Sequence, residues 1–247
     1  MQVSNFDIKN LISEVSSNDI VNELEKASSR YHINVGWIAI IFDPLFALTD
    51  YYNIPGSWLH ILVLRLSVAA ITLVTLLAQR KYKFPSFIVA LVPFLLISLQ
   101  NAYTYGLIEN DNILGHTINY IALLIGGGMF ILWRTWYSVG VIVLSAMVTA
   151  IFVAGNRNLE LAQFFIRGGL LLAVVGVFMI ILIKVRYDLT LREIKARLAL
   201  KAINEEMEKQ KLLLEEKNEK ITDSIRYAQR IQKSILGDKL RIEGWFA

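Results

Sequence analysis

The chain has 247 residues, 55% of them hydrophobic, and contains no cysteine. Its mean hydropathy of +0.49 is too high for an ordinary soluble domain, and its charges are concentrated towards the two ends, so we predict an all-α membrane protein. The net charge of +4 does not indicate nucleic-acid binding, because the basic residues flank apolar segments without interleaved aromatic residues. The absence of cysteine excludes disulfides, thiolate metal sites and cysteine catalysis.

Residues 1–31 are predicted to form a cytoplasmic amphipathic N-terminal region. Apolar residues at helical spacing indicate one or two short helices, with a break at Ser16, Ser17 and Asn18 and with Asp19 as a cap for the second helix. The region has no basic start followed by an apolar core, so it does not resemble a signal peptide.

Residues 32–185 are predicted to form a six-span transmembrane domain, because six apolar segments have about the twenty residues that a bilayer requires. The predicted spans are residues 33–52, 58–78, 84–105, 113–133, 135–155 and 161–183. Their connections are short, so neighbouring spans should be antiparallel. Ser57 is predicted to be the N-cap of the second span, and Tyr105 and Trp133 fall near span ends, as in an aromatic belt.

The lysines and arginines predict the orientation of the spans. Arg80, Lys81 and Lys83 lie between the second and third spans, and other basic residues precede the first span, separate the fourth from the fifth, and follow the sixth. The opposite loops carry only Arg157. The positive-inside rule therefore predicts a multi-pass protein of the bacterial cytoplasmic (inner) membrane with both termini in the cytoplasm.

Ionisable residues inside the predicted spans are candidates for a functional site. Asp43 immediately precedes Pro44 in the first span, Asp50 lies about two turns further on, and Arg65 lies at a similar depth in the second span. Arg65 could therefore pair with Asp43 or Asp50. Such a pair either fixes the register of two helices or lines a cavity that opens to the outer side.

Other polar residues lie in the outer halves of their spans, which favours a pocket for a small polar or anionic ligand, although helix-to-helix hydrogen bonding is an equal alternative. The further ligand-binding candidates are His60, Asn101, His116, Asn119 and Arg167. No cofactor is predicted: a haem or metal ion at His60 and His116 is an alternative that the absence of histidine pairs at helical spacing does not favour. The glycine runs at residues 126–128 and 168–169 indicate close helix approach or bending.

Residues 186–236 are predicted to form a long cytoplasmic coiled-coil helix and a parallel homodimer. From Leu200 onward, apolar residues recur in alternating steps of three and four, with weak core positions at Gln210, Lys217 and Ser224. The register slips between Leu198 and Ile203, which suits a helix that switches between two packings; a static spacer is the alternative. The predicted transmission residues are Ile203, Met207, Leu214, Ile221, Ala228, Ile231 and Ile235.

The segment EEKNEKITDSIRYAQRIQKSIL at residues 215–236 resembles the linker that precedes the catalytic domain in SpoIIE-like serine/threonine phosphatases of the protein phosphatase 2C superfamily. The resemblance covers about a tenth of the chain, and its specific pattern runs over residues 221–232. The resemblance implies a sensor-and-linker piece without the catalytic domain. Residues 237–247 would then begin the connection to a missing effector.

We therefore predict a signal-sensing and transmitting module that controls a cytoplasmic effector, with phosphatase as the first choice. The chain itself is predicted not to be an enzyme, because it has no nucleotide-binding loop, metal cluster or paired nucleophile and base. The alternatives are the membrane regulatory domain of a nucleotide or diguanylate cyclase, and a small-solute transporter or channel.

Overall fold

The computed structural model describes residues 17–236, and every regular element in that range is helical. The predicted amphipathic pattern before residue 17 and the predicted linker at residues 237–247 lie outside the described residues. The helices are α1 (Ser17–Leu45), α2 (Ala47–Asn53), α3 (Trp58–Tyr82), α4 (Phe87–Thr104), α5 (Ile113–Gly128), α6 (Thr135–Gly155), α7 (Leu161–Phe164) and α8 (Leu170–Leu236). A 3-10 turn at Asn110–Asn112 precedes α5, and a π-turn at Phe165–Gly169 joins α7 to α8.

Five stretches of the described chain are long and apolar enough to cross a membrane, which fits an all-α membrane protein. They are Ser17–Asn53, Trp58–Tyr82, Phe87–Thr104, Thr135–Gly155 and Leu161–Ile235. Large apolar side chains cover the outward faces of these helices, as lipid contact requires: Leu59, Val63, Leu66 and Val74 of α3 are all more than half exposed.

The first predicted span is divided between two helices. α1 passes through Pro44 and ends at Leu45, and α2 begins at Ala47. Ser17 and Asn18 are helical, and Asp19 lies in the first turn of α1, so the predicted break does not include these two residues and Asp19 is not a cap. At the next connection, Ser57 is the N-cap residue of α3 as predicted, but its side chain makes no capping hydrogen bond.

The fourth predicted span is helical only in part. α5 ends at Gly128 after 16 residues, so the prediction of a helix reaching Trp133 is wrong for residues 129–133. Ile131, Leu132 and Trp133 are nevertheless buried, and the Trp133 indole nitrogen donates a 2.7 Å hydrogen bond to the Ser138 hydroxyl. Trp133 therefore packs inside the protein, and so does Tyr105, rather than in an aromatic belt.

The sixth predicted span contains a kink. Gly168 has a φ of +146° within the π-turn, a backbone conformation that side chains rarely adopt. A Cβ atom at Gly168 would also lie 2.7 Å from the Cγ2 atom of Thr117. This position therefore allows bending and a close approach to α5, as the glycine pair predicted.

The described chain falls into two compact parts, Ser17–Ile194 and residues 195–236, and α8 contributes to both. The division lies after Ile194, nine residues beyond the predicted end of the transmembrane domain at residue 185. In Ser17–Ile194, a core of buried apolar residues from α1, α3, α4, α5, α6 and α8 surrounds Ile61, Tyr105 and Ile131. In the second part, every residue from Met207 to Ile235 is exposed in the single chain.

Candidate functional site

A buried charge cluster joins the first three helices. Arg65 of α3 donates from Nε to Asp50 Oδ2 at 2.6 Å and from Nη2 to Asp50 Oδ1 at 3.1 Å, which makes a bidentate pair with α2. Its Nη1 donates to Asp43 Oδ1 at 2.6 Å and to the Asp43 carbonyl oxygen at 3.3 Å, which adds α1. The sequence predicted that Arg65 pairs with one of the two aspartates, and the structure pairs it with both.

The charges of this triad do not balance. Arg65, Asp43 and Asp50 are all 0% exposed, and two carboxylates against one guanidinium leave one excess negative charge when both are ionised. Asp43 Oδ2 has no hydrogen-bond partner. Four of the five donor hydrogens of Arg65 already serve Asp43 and Asp50, so an anionic ligand would find one free donor hydrogen beside two carboxylates. The triad is better suited to holding three helices together.

His116 of α5 lies beside the triad and interacts electrostatically with Arg65 and Asp50. Its Nε2 atom is 2.9 Å from the Asn101 carbonyl oxygen, so Nε2 carries the hydrogen and donates it. The ring of His116 also packs edge-on against the ring of Tyr105, at 4.7 Å between centroids. His116 Nδ1 and Asn101 Oδ1 are buried without a hydrogen-bond partner, so both atoms have unused hydrogen-bonding capacity.

Asn119 connects α5 to α2. Its side-chain nitrogen donates to the Thr49 hydroxyl at 2.7 Å, and that hydroxyl donates to the Phe46 carbonyl oxygen at 2.7 Å. Phe46 in turn places its ring 5.9 Å from the guanidinium carbon of Arg65. Six of the predicted ligand-binding candidates therefore make contacts that join α1 to α5: Asp43, Asp50, Arg65, Asn101, His116 and Asn119.

The other two predicted ligand-binding residues make different contacts. His60 is exposed, and its Nε2 is 3.2 Å from the Tyr103 hydroxyl. Arg167 donates from Nη1 to the Asn110 carbonyl oxygen at 2.7 Å and to Asp111 Oδ1 at 3.0 Å. Arg167 therefore ties the π-turn to the 3-10 turn, and it is not among the contacts of the triad.

Metal binding receives no support from the described part of the chain, since residues 17–236 contain no group of three or more histidine, aspartate or glutamate side chains that could hold an ion. His116 uses Nε2 for the Asn101 carbonyl, whereas His60 is exposed beside Tyr103.

A second polar cluster, which the sequence did not predict, involves His32. Its Nδ1 is 2.9 Å from the Ser86 hydroxyl, and its Nε2 accepts a hydrogen from the Leu132 backbone nitrogen at 3.4 Å. Glu25 Oε1 accepts a 2.7 Å hydrogen bond from the Ser86 backbone nitrogen. Because His32 accepts through Nε2, the neutral ring donates through Nδ1 to Ser86. The cluster joins α1 to the two loops that precede α4 and α6.

An apolar cavity of about 320 Å³ lies between α1, α4 and α5. Phe42, Phe46, Phe94 and Phe130 form part of its wall. The sequence predicted a polar pocket, whereas this cavity is lined mostly by aliphatic and aromatic side chains.

The predicted transmission residues lie along the described part of α8. Met207 is 59% exposed, Leu214 60%, Ile221 56%, Ile231 41% and Ile235 76%. Ala228 is also exposed, and Ile203 is half-buried. Ion pairs between these positions form within the helix: Lys220 Nζ lies 2.5 Å from Oε1 of Glu216, which is four residues earlier in α8.

Comparison of the chain with known protein families, with curated proteins and with solved structures finds no match.

Proposed function

We propose that the chain is a transmembrane signalling module that dimerises through residues 186–236 and controls a cytoplasmic effector. The observation that carries the proposal is the row of exposed apolar side chains on the last part of α8. An isolated helix in water gains little from such residues, whereas a second helix would bury them. The proposed partner is a second copy of the chain, because the same seam on two parallel helices is self-complementary.

The spacing of the exposed residues supports a parallel coiled coil. Met207, Leu214, Ile221 and Ala228 follow one another at intervals of seven, and Ile203 and Ile231 occupy the other core position of the heptad. Gln210, Lys217 and Ser224 occupy that second position in three successive heptads. These polar core residues weaken the seam, so two packings of similar free energy are accessible to the dimer.

Six membrane crossings are part of the proposal, with α5 as the irregular one. Sixteen residues of helix span about 24 Å, less than the roughly 30 Å of the hydrocarbon core. Residues 129–133 would complete the crossing without helical structure, which is tolerated where the backbone is buried in protein and hydrogen-bonded. Ile131 N bonds to the Gly128 carbonyl, and Leu132 N bonds to His32 Nε2.

The proposed orientation has both termini in the cytoplasm. Arg80, Lys81 and Lys83 lie at the end of α3 and just after it, whereas the connection between α6 and α7 carries Arg157 alone. This difference supports a bacterial inner-membrane protein with the α3–α4 connection inside. A cysteine at Lys83 should resist a membrane-impermeant maleimide in intact spheroplasts, and a cysteine at Arg157 should react. The reverse pattern would refute the orientation.

The proposed effector is a serine/threonine phosphatase, because residues 221–232 resemble the linker of SpoIIE-like phosphatases. The proposed input lies in Ser17–Ile194, where the buried polar atoms of His116 and Asn101 have unused hydrogen-bonding capacity. In this proposal the triad holds α1, α2 and α3 while the neighbouring polar groups respond to a ligand.

Cysteine crosslinking of the full chain in native membranes tests the proposed dimer. The chain contains no cysteine, so Ile221→Cys and Ile231→Cys each introduce a single thiol at a core position. Glu219→Cys and Lys233→Cys are matched controls, two residues away on the outer face of the same heptads. Mild oxidation should give a disulfide-linked dimer with the core variants and little with the controls.

Equal crosslinking at core and control positions would indicate random collision and would contradict the coiled coil. A monomer with both core variants would contradict the dimer itself. Repeating the oxidation after dilution of the protein into excess lipid separates specific pairing from crowding, because a stable dimer persists on dilution.

A further inference from the structure

The apolar cavity between α1, α4 and α5 has the size of a small-molecule binding site. Its volume of about 320 Å³ falls at the lower end of the range for small-molecule pockets, about 300–1,000 Å³. α1 contributes Val35, Ile38 and Phe42, and α4 contributes Pro93, Phe94 and Ile97. Phe42 is 51% exposed, so the wall includes a side chain that reaches the outer surface of an apolar helix.

The hydrogen-bonding groups around the cavity define the chemistry of its occupant. Ser98 and Tyr120 are the only lining residues in the described chain with a polar side chain. The Tyr120 hydroxyl is already bonded to the Ser145 hydroxyl. Ser98 is 1% exposed, and its hydroxyl makes no hydrogen bond of normal geometry although it lies near Tyr120. An occupant can therefore make one hydrogen bond at most, and the rest of its surface must be apolar.

Gly126 supplies an independent reason to regard the cavity as functional. In the run of three glycines, a Cβ at Gly128 would collide with Met179 and a Cβ at Gly127 would lie 3.2 Å from the Phe94 ring, so packing explains both. A Cβ at Gly126 would meet no atom within 4 Å. Gly126 lines the cavity, and a side chain there would reduce its volume.

We propose that this cavity binds an unbranched aliphatic chain. Flexible hydrocarbon matches a wall of aliphatic and aromatic side chains with a single free hydroxyl, and it is abundant in the bilayer that faces the exposed side of Phe42. The chain could belong to a free fatty acid or to a phospholipid, which share this chemistry. Phe46 lines one end of the cavity, and its ring lies 5.9 Å from the guanidinium carbon of Arg65.

Photolabelling of the full chain in liposomes tests the site. One probe is palmitic acid with a diazirine in its chain, and the other is phosphatidylcholine with the same labelled acyl chain. Peptide mapping by mass spectrometry should concentrate the label on cavity residues such as Ile38, Ile97 and Leu123, and unlabelled palmitic acid should compete with the fatty-acid probe. Gly126→Leu should lower cavity labelling by about tenfold, as expected from the loss of two buried methylene contacts.

Gly140→Leu is the matched control. A Cβ at Gly140 also meets no atom within 4 Å, and Gly140 does not line the cavity, so cavity labelling should not change. Label from the fatty-acid probe identifies a free lipophile as the source, and label from the phospholipid alone identifies bilayer lipid. Label spread evenly over exposed faces such as that of Val63 and Val74, or not reduced by Gly126→Leu, would overturn the proposal. Two outcomes that require no variant would also overturn the proposal, even if Gly126→Leu did not fold. One is that neither probe labels the cavity residues, and the other is that the fatty-acid probe labels them but excess unlabelled palmitic acid does not reduce that label.

Discussion

Removal of the excess charge from the buried triad should be far less costly than removal of its cation. In Asp43→Asn, Arg65 keeps its bidentate pair with Asp50, and the remaining cluster has no net charge. The amide oxygen that this substitution introduces can still accept from Arg65 Nη1, the atom that lies 2.6 Å from Asp43 Oδ1. The opposite substitution, Arg65→Met, leaves two carboxylates that are both 0% exposed.

The contacts set the order of the effects on the free energy of unfolding. Arg65→Met should cost about 3–5 kcal/mol or more, because it leaves the buried carboxylates of Asp43 and Asp50 without a cation. Asp50→Asn should cost about 3 kcal/mol, because an amide nitrogen would face the donors of Arg65 and disrupt two charge-assisted hydrogen bonds. Asp43→Asn should cost about 1–2 kcal/mol, because its amide nitrogen would take the place of Oδ2, which is buried and has no partner, and the loss of the excess charge offsets part of that cost.

Unfolding by sodium dodecyl sulfate in mixed micelles, followed by the fluorescence of the five tryptophans, measures these differences. Triple replacement of Arg65 by Met and of both aspartates by Asn should recover part of the loss, since it leaves no buried charge. If Asp43→Asn were as destabilising as Asp50→Asn, the two carboxylates would be equivalent, and the reasoning from charge balance would be refuted.

Three further predictions concern other parts of Ser17–Ile194. Gly168→Ala should lower stability by about 1–3 kcal/mol, because alanine is strained at a φ of +146°, whereas Gly140→Ala, in the middle of α6, should raise it by up to about 1 kcal/mol; similar thermal midpoints for the two variants would contradict the kink. His32→Phe should cost about 2–4 kcal/mol by leaving Ser86 and the Leu132 N–H without their partner, and His60→Phe, at an exposed contact, should cost less than about 1 kcal/mol; equal losses in detergent unfolding would argue against the buried cluster. Asn156→Ala should destabilise the protein by about 2 kcal/mol, since its side chain donates to the carbonyl oxygens of Tyr105 and Ile108, both at 2.8 Å, and hydrogen exchange should rise at residues 105–108.

Helix positions were predictable where a change in composition coincides with a change in backbone. α6 runs over Thr135–Gly155, the same bounds as the predicted fifth span, because Arg134 precedes it, Gly155 ends it and Asn156 follows it. The end of α5 was not predictable in this way. Residues 129–133 are as apolar as the helix before them, and hydropathy cannot distinguish a helix from an irregular segment buried in protein.

The candidate site was predictable only in its charged part. Arg65, Asp43 and Asp50 stand out because ionisable residues in apolar segments require partners. His32, Ser86 and Glu25 lie near the ends of predicted spans, where water could have satisfied them, and their contacts join residues 54 and 61 positions apart. The apolar cavity depends on how three helices pack, so no local pattern in the sequence predicts it.

The triad also has a mechanical consequence for the first span. Its two aspartates lie on opposite sides of the interruption at Phe46, with Asp43 on α1 and Asp50 on α2. The guanidinium of Arg65 donates hydrogen bonds to both of them. Straightening this joint would pull at least one carboxylate away from Arg65, in a site where all three side chains are 0% exposed. The two ion pairs of Arg65 therefore restrain the joint between α1 and α2. We expect α1, α2 and the adjoining part of α3 to move as one rigid body.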